Sequence, residues 1–376
     1  MTSTRFVGRT QELAELEAAW SDASAGRPSL AFIAGESGVG KTRLVAELER
    51  RVRALGGRVI GGDCVELGEG ELPYAPIVAA LRPLAGNRDP ALSSLPPAAR
   101  TALARLLPSL GEAGGAGGDD DNAQGRVFEA LLALVDRLAE ERPLLVTVED
   151  VQWADRSTRG FLAFLARSLC NERALVVATY RPDDLNRRHP LRPLLAELER
   201  DARARRVELA PFTRDELADA LSDILGAPAA PELVDRLFAR SEGNPLYTEE
   251  LLAASLDGRG PLPPTLRDAL MLRIERLPDP AQEVLRVLAV GQRLAHPTLA
   301  GAAGLDAREL RDALREAVAA NIVVTDAGGR YAFRHALLRE VVVDDLLPGE
   351  HAELHLALAR ALERRVATEG AGVHLS

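Results

Sequence analysis

The chain has 376 residues, 47% of them hydrophobic and 27% charged, with a net charge of −10. That length exceeds one ordinary hydrophobic core and predicts two or three domains, while the acidic balance excludes a general nucleic-acid-binding surface, and no basic module stands out along the chain. Two cysteines, Cys64 and Cys170, lie far apart and form no CxxC pattern, so neither a disulfide framework nor a zinc site is expected. The opening MTSTRFVGRTQEL has no apolar signal core and no run of about 18 apolar residues follows, which predicts a cytoplasmic protein with no membrane partner.

Helical spacing comes first, over residues 10–20, with Leu13, Leu16 and Trp20 on one face. SLAFIAG (29–35) is a short apolar run between Pro28 and Gly35, the profile of a buried parallel strand, and KTRLVAELERRVRAL behind it reads as an amphipathic helix. A second strand is predicted over 58–61. Residues 63–125 are irregular and proline-rich; their tip, GEAGGAGGDDDNAQG, is too poor in apolar residues to order itself, so a mobile surface insertion is expected. The pattern then predicts a helix over 126–141, a strand over 143–149, a helix over 157–169, a strand over 174–180, a helix near 190–203 and a strand in RRVELA. Strands alternating with helices imply an α/β doubly wound parallel sheet over 28–210, inside a first domain of residues 1–210. A small helical domain (211–262), a winged-helix-like domain with a hairpin through NIVVT and YAFRH (263–348), and the start of a helical region (349–376) are expected after it.

GESGVGKT (35–42) satisfies G-x-x-x-x-G-K-[ST] between a predicted strand and a predicted helix, the context that makes the motif a phosphate-binding loop of a P-loop NTPase. Gly35, Gly38 and Gly40 let the backbone turn N–H groups toward a polyphosphate at the helix N-terminus, so Glu36, Ser37, Val39 and Arg43 join the candidate nucleotide contacts. Of 46 lysines and arginines, Lys41 alone is lysine. A compact ammonium fits between two phosphates where the wider guanidinium fork fits less well. Thr42 is the expected Mg2+ ligand.

In LLVTVEDVQWAD an apolar strand ends on Glu149 and Asp150, at the edge where nucleotide sites of such sheets lie. Two carboxylates there suit a metal ligand and a base that orients water, and the residue types leave open which does which. Asp155 fits a helix cap better. Arg181, closing ALVVATYR, is placed to reach a γ-phosphate from the neighbouring strand. His351 and His355 are one helical turn apart, but HAELH lacks the HExxH order and a third ligand, so a solvated helix face is expected.

FVGR, GESGVGKT, VEDVQWAD, ATYRPDD, SEGNPLYTEEL and YAFRHALLRE follow one another in an order that resembles the signal-transduction ATPases with numerous domains. More closely, it resembles the N-terminal ATPase region of the large ATP-binding regulators of the LuxR family, over about residues 5–365. The resemblance implies that Val7, Gly8 and Arg9 line an adenine pocket, that Pro245 packs on the adenine, and that His335 approaches the β-phosphate of ADP. It also implies ATP/ADP and Mg2+ as cofactors, and slow hydrolysis that resets a conformational switch with self-association in the ATP state. Glu149 departs from the aspartate usual at its position. A second departure is the expected lack of the helical-repeat sensor and helix-turn-helix domain of those regulators after residue 367, which implies a fragment or a truncated relative that meets DNA only through a domain absent from this chain. The alternative is an AAA+-like ATPase that spends faster turnover on remodelling a partner; a phosphotransferase would need an acceptor pocket for which no signature is found.

Overall fold

Near-continuous apolar runs make strands that can be buried on both faces, and this is how the first unit is built. In the computed structural model β1 (Ser29–Gly35), β2 (Arg58–Asp63), β3 (Leu144–Glu149), β4 (Ala174–Tyr180) and β5 (Ala204–Leu209) form one sheet in the order β2-β3-β4-β1-β5. Every pairing is parallel. All residues of β1 and β4 are buried, and β3 is buried up to Val148. Helices α1 (Thr10–Ser24), α2 (Lys41–Ala54), α3 (Ala75–Gly86), α4 (Pro90–Ser93), α5 (Pro97–Leu103), α6 (Asp120–Glu141), α7 (Arg156–Ser168) and α8 (Leu191–Leu198) supply the crossovers and flanking layers. The residues described are 3, 5–65, 72–110, 120–186, 188–254, 260–326 and 328–372.

The region expected to be an irregular, mobile insertion departs most from that expectation. Residues 75–103 hold three helices whose Ile77, Leu81, Leu84, Leu92 and Leu103 join the core of the sheet unit. Three of the prolines that suggested irregularity lie at helix starts instead: Pro90 and Pro97 are first residues and Pro76 lies in the first turn, where a missing N–H costs nothing, while Pro83 sits inside α3. Residues 120–125, part of the expected loop tip, already belong to α6. Positions 111–119 of that tip lie outside the described residues. The helix expected to reach 203 stops at Leu198, where Asp201 folds the chain into a turn by accepting hydrogen bonds from Arg203 N and Nε.

Contacts divide the chain into the unit Gly8–Ala210 and a second unit made of Met1–Val7 with Pro211–Ser376. The second unit runs through α9 (Arg214–Leu225), α10 (Pro231–Ser241), α11 (Pro245–Ala254), α12 (Pro264–Glu275) and α13 (Asp279–Gly291). It continues with β6 (Arg293–Ala295), α14 (His296–Ala302), α15 (Ala307–Ala319), β7 (Val323–Thr325), β8 (Arg330–Phe333), α16 (Ala336–Asp345) and α17 (Pro348–Gly372). The expected hairpin is present as β7 and β8, but three-residue β6 pairs with the other side of β8, an antiparallel partner too short for sequence alternation to announce. In the same unit, Ser3 Oγ and Arg5 N both donate to Asp223 Oδ2. No helix of the described residues is long and apolar enough to cross a membrane.

Candidate functional site

Because all five strands are parallel, their C-terminal tips share one edge, and β1 leads there into the turn 36–40 and α2. Gly35 has no room for a side chain: a Cβ would stand 2.8 Å from Val39 Cγ1 and 3.1 Å from the Leu209 carbonyl oxygen. Gly40 has open space, yet its φ of +104° is one that a side chain disfavours. The turn therefore depends on glycine at one end for packing and at the other for conformation.

Lys41 opens α2 and is only 7% exposed. Its Nζ donates to the Gly35 and Glu36 carbonyls, each at 2.9 Å, which folds the ammonium back over the loop. Burial, and then the positive charge of Arg181, lower its pKa from the ordinary 10.5 to about 8, against the pull of Asp150, Asp184 and Asp183. These side chains thus share one field around the ammonium.

Thr42 Oγ1 donates to Glu149 Oε2 at 2.7 Å, joining the loop to the tip of β3. Burial raises the Glu149 pKa, the Thr42 bond works against that, and Asp63, Asp150 and Glu49 add to the rise. Next to it, Asp150 has a left-handed backbone with φ 53°, and its N–H donates to Thr179 Oγ1 at 2.9 Å on β4. Arg181 donates from Nε to Asp150 Oδ1 at 3.3 Å and from Nη2 to Asp150 Oδ2 at 3.2 Å. The two carboxylates, equivalent in the sequence, therefore differ: Glu149 faces the phosphate loop and Asp150 faces an arginine. Asp155 caps α7, accepting from Ser157 N at 2.8 Å and Thr158 N at 3.0 Å.

The residues present fit a nucleotide and Mg2+. Mg2+ takes oxygen ligands, keeps several waters and uses one or two carboxylates with substrate phosphates; the Glu149 carboxylate and the Thr42 hydroxyl would be the protein's oxygens. No group of three or more His, Cys, Asp or Glu that could hold a metal stands among the described residues, and this mode of binding needs none. His351 and His355 stack edge to face at 4.6 Å.

Sequence reasoning missed Gln152 here, and it named Arg9 only as part of an adenine pocket. Gln152, 3% exposed, donates to Asp150 Oδ1 and accepts from Arg181 N. Arg9, 6% exposed and left-handed with φ 58°, donates from Nη2 to the Val39 carbonyl at 3.1 Å and from Nη1 to Glu12 at 3.2 Å. It braces the phosphate loop, a contact no periodicity encodes. Gly8, Arg9, residues 35–43, Glu149, Asp150 and Arg181 lie in one unit, whereas Val7, Pro245 and His335 belong to the other. There Pro245 begins α11, and His335 precedes α16 with Nδ1 3.0 Å from Glu242 Oε2, while Ala336 N donates to Glu242 Oε1 at 2.8 Å.

Residues 5–178 match the family model described as an AAA ATPase domain. An uncharacterized protein of Rhizobium meliloti (strain 1021) is 28% identical over 270 residues, 65% of this chain and 24% of the relative, so the chain spans about a quarter of that protein's length. Among solved structures, a signal transduction ATPase with numerous domains carrying a tetratricopeptide repeat sensor, from Pyrococcus horikoshii, is 16% identical with a TM-score of 0.39, over 97% of this chain and 46% of that one. Cdc6p of Pyrobaculum aerophilum is 15% identical with a TM-score of 0.43, over 96% of both chains. A RuvB variant of Thermotoga maritima is 15% identical with a TM-score of 0.39, over 88% and 93%. These structural scores carry nothing about function. GESGVGKT and the acidic tip of β3 both lie inside the stretch that matches the AAA ATPase domain model.

Proposed function

We propose that the chain is a nucleotide-dependent conformational switch, binding ATP and ADP with Mg2+ and hydrolysing ATP slowly, in a cytoplasmic regulator of the LuxR type. The matched ATPase domain supports the nucleotide, and Lys41 with the glycine turn supports the grip on its phosphates. Mg2+, when bound, would neutralise phosphate charge and polarise the terminal phosphoryl group. Thr42 and Glu149 would hold it, and Asp150 would orient water. This assigns the metal to Glu149 on the ground of its bond to Thr42.

The observation that favours a switch over rapid turnover is the state of Asp150. Both of its carboxylate oxygens accept from Arg181, and Oδ1 also from Gln152, so the group that would activate water is engaged until Arg181 turns away, and hydrolysis would wait on that change. In the second unit, α13, α15, α16 and the sheet β6-β8-β7 support a winged-helix reading. DNA would be met only through a further domain, and self-association would belong to the ATP state.

Steady-state ATP hydrolysis by the purified chain with Mg2+ tests the reading. The expected rate is below about one per second without a partner. A rate well above that supports the alternative of an ATPase coupled to remodelling.

A further inference from the structure

Gln152 sits in the short turn Val151–Trp153 that leaves β3, with its side chain buried between the tips of β3 and β4. Its Nε2 donates to Asp150 Oδ1 at 3.0 Å and its Oε1 accepts from Arg181 N at 3.1 Å. The partners fix this orientation, because an ionised carboxylate only accepts and a backbone N–H only donates. Asp150 is therefore held twice, by the guanidinium of Arg181 and by the amide of Gln152. The two holds differ in what a ligand does to them. A polyphosphate beside Lys41 competes for a guanidinium, since charge-assisted bonds to phosphate are strong, but it has no comparable attraction for a neutral amide buried behind the carboxylate.

We propose that Gln152 is a positioning residue that keeps Asp150 aimed when Arg181 turns from it to a bound γ-phosphate. This rests on the nucleotide reading above. Once Arg181 leaves, Asp150 Oδ1 keeps the Gln152 bond and Asp150 Oδ2 becomes open to a water molecule. Through Oε1, Gln152 also anchors the backbone of Arg181 while its side chain moves. Glutamine's two chemically opposite ends suit this place; glutamate would set a second carboxylate against Asp150, and methionine would break both bonds.

The test uses the full chain with Gln152→Glu and Gln152→Met, measuring steady-state ATP hydrolysis against pH and equilibrium binding of ATP and ADP. Both variants are expected to lose on the order of 10- to 100-fold in kcat, as misplaced catalytic groups do. Nucleotide affinities should stay within about twofold, the pattern of an interaction made only in the transition state. In Gln152→Glu the acidic limb of the kcat profile should also move to higher pH, because two carboxylates then share one place. If Gln152→Met does not fold, Gln152→Glu carries the test, since it keeps the size and the bond to Arg181 N. Unchanged kcat, or affinity falling in step with kcat, overturns the proposal. Lys41→Ala separates the two levels: if it binds nucleotide as the unaltered chain does, the phosphate-site reading fails. If it loses binding while the Gln152 variants match the unaltered chain, the positioning role alone fails. An unaltered chain that binds ATP without hydrolysing it overturns both the hydrolytic reading and this role.

Discussion

Thr42 and Glu149, 107 positions apart in the chain, meet through a 2.7 Å hydrogen bond that closes the phosphate loop onto the tip of β3. A Mg2+ ion would enter there with phosphate and water completing its ligands. Thr42→Val is expected to remove most of the tightening that Mg2+ gives to ATP binding, while ADP binding without Mg2+ changes little; titrations with Mg2+ and with a chelator measure both. Because burial raises the Glu149 pKa, the carboxylate takes up a proton earlier on acidification than a solvated glutamate would. The Mg2+ effect should therefore fade as pH falls through that raised value, and a pH-independent effect would show that Glu149 is not the ligand.

Lys41 supplies a prediction of opposite sign. Its ammonium, lowered to about 8, is regenerated by a bound phosphate, so binding at pH 8 takes up about half a proton, and affinity falls by up to about tenfold per pH unit above that value. In the nucleotide-free chain, between about 8 and the ordinary 10.5, the unfolded state holds more of this proton than the folded state, so the lysine's contribution to folding stability rises with pH. Calorimetry in buffers of differing ionisation enthalpy reads the proton uptake, and no uptake at pH 8 would contradict a phosphate contact at Lys41.

Arg9 donates to the Val39 carbonyl from a position only 6% exposed. Arg9→Met keeps the length and loses the bond, leaving a buried carbonyl unsatisfied at a cost of about 1–3 kcal/mol. Nucleotide affinity is expected to fall by about tenfold, since the carbonyl belongs to the phosphate loop. Binding titration checks this, and unchanged affinity would mean that the loop holds its shape without Arg9.

On α6, Asp136 Oδ1 is buried without a hydrogen-bond partner among the described residues. Burial first, then the charges of Glu172, Glu140 and Glu129, raise its pKa from 3.8 to about 6. A raised carboxylate is a liability once ionised: its contribution is present below pH 4 and is lost as pH rises through about 6. Asp136→Asn should stabilise the fold by about 1 kcal/mol at pH 7, after screening by solvent, and by much less at pH 4. Denaturant unfolding at the two pH values measures the difference.

The parallel sheet was legible because β1, β3 and β4 are buried on both faces and so read as apolar runs, and the loop between β1 and α2 was legible because phosphate binding constrains glycine spacing locally. Residues 75–103 were misread because proline marks a helix start as readily as a break, and only burial of side chains such as Leu81 and Leu103 tells the two apart. The separate surroundings of Glu149 and Asp150 were hidden for a related reason. They depend on Thr42 and Arg181, distant in sequence and brought to the same edge by strand order.

The central claim, that the chain holds its nucleotide as the memory of a state, is tested most directly by denaturing the purified chain and its Lys41→Ala variant and identifying what each releases. The unaltered chain is expected to release ADP close to one per chain, and the variant none. A Lys41→Ala chain that still purified with ADP would contradict the account.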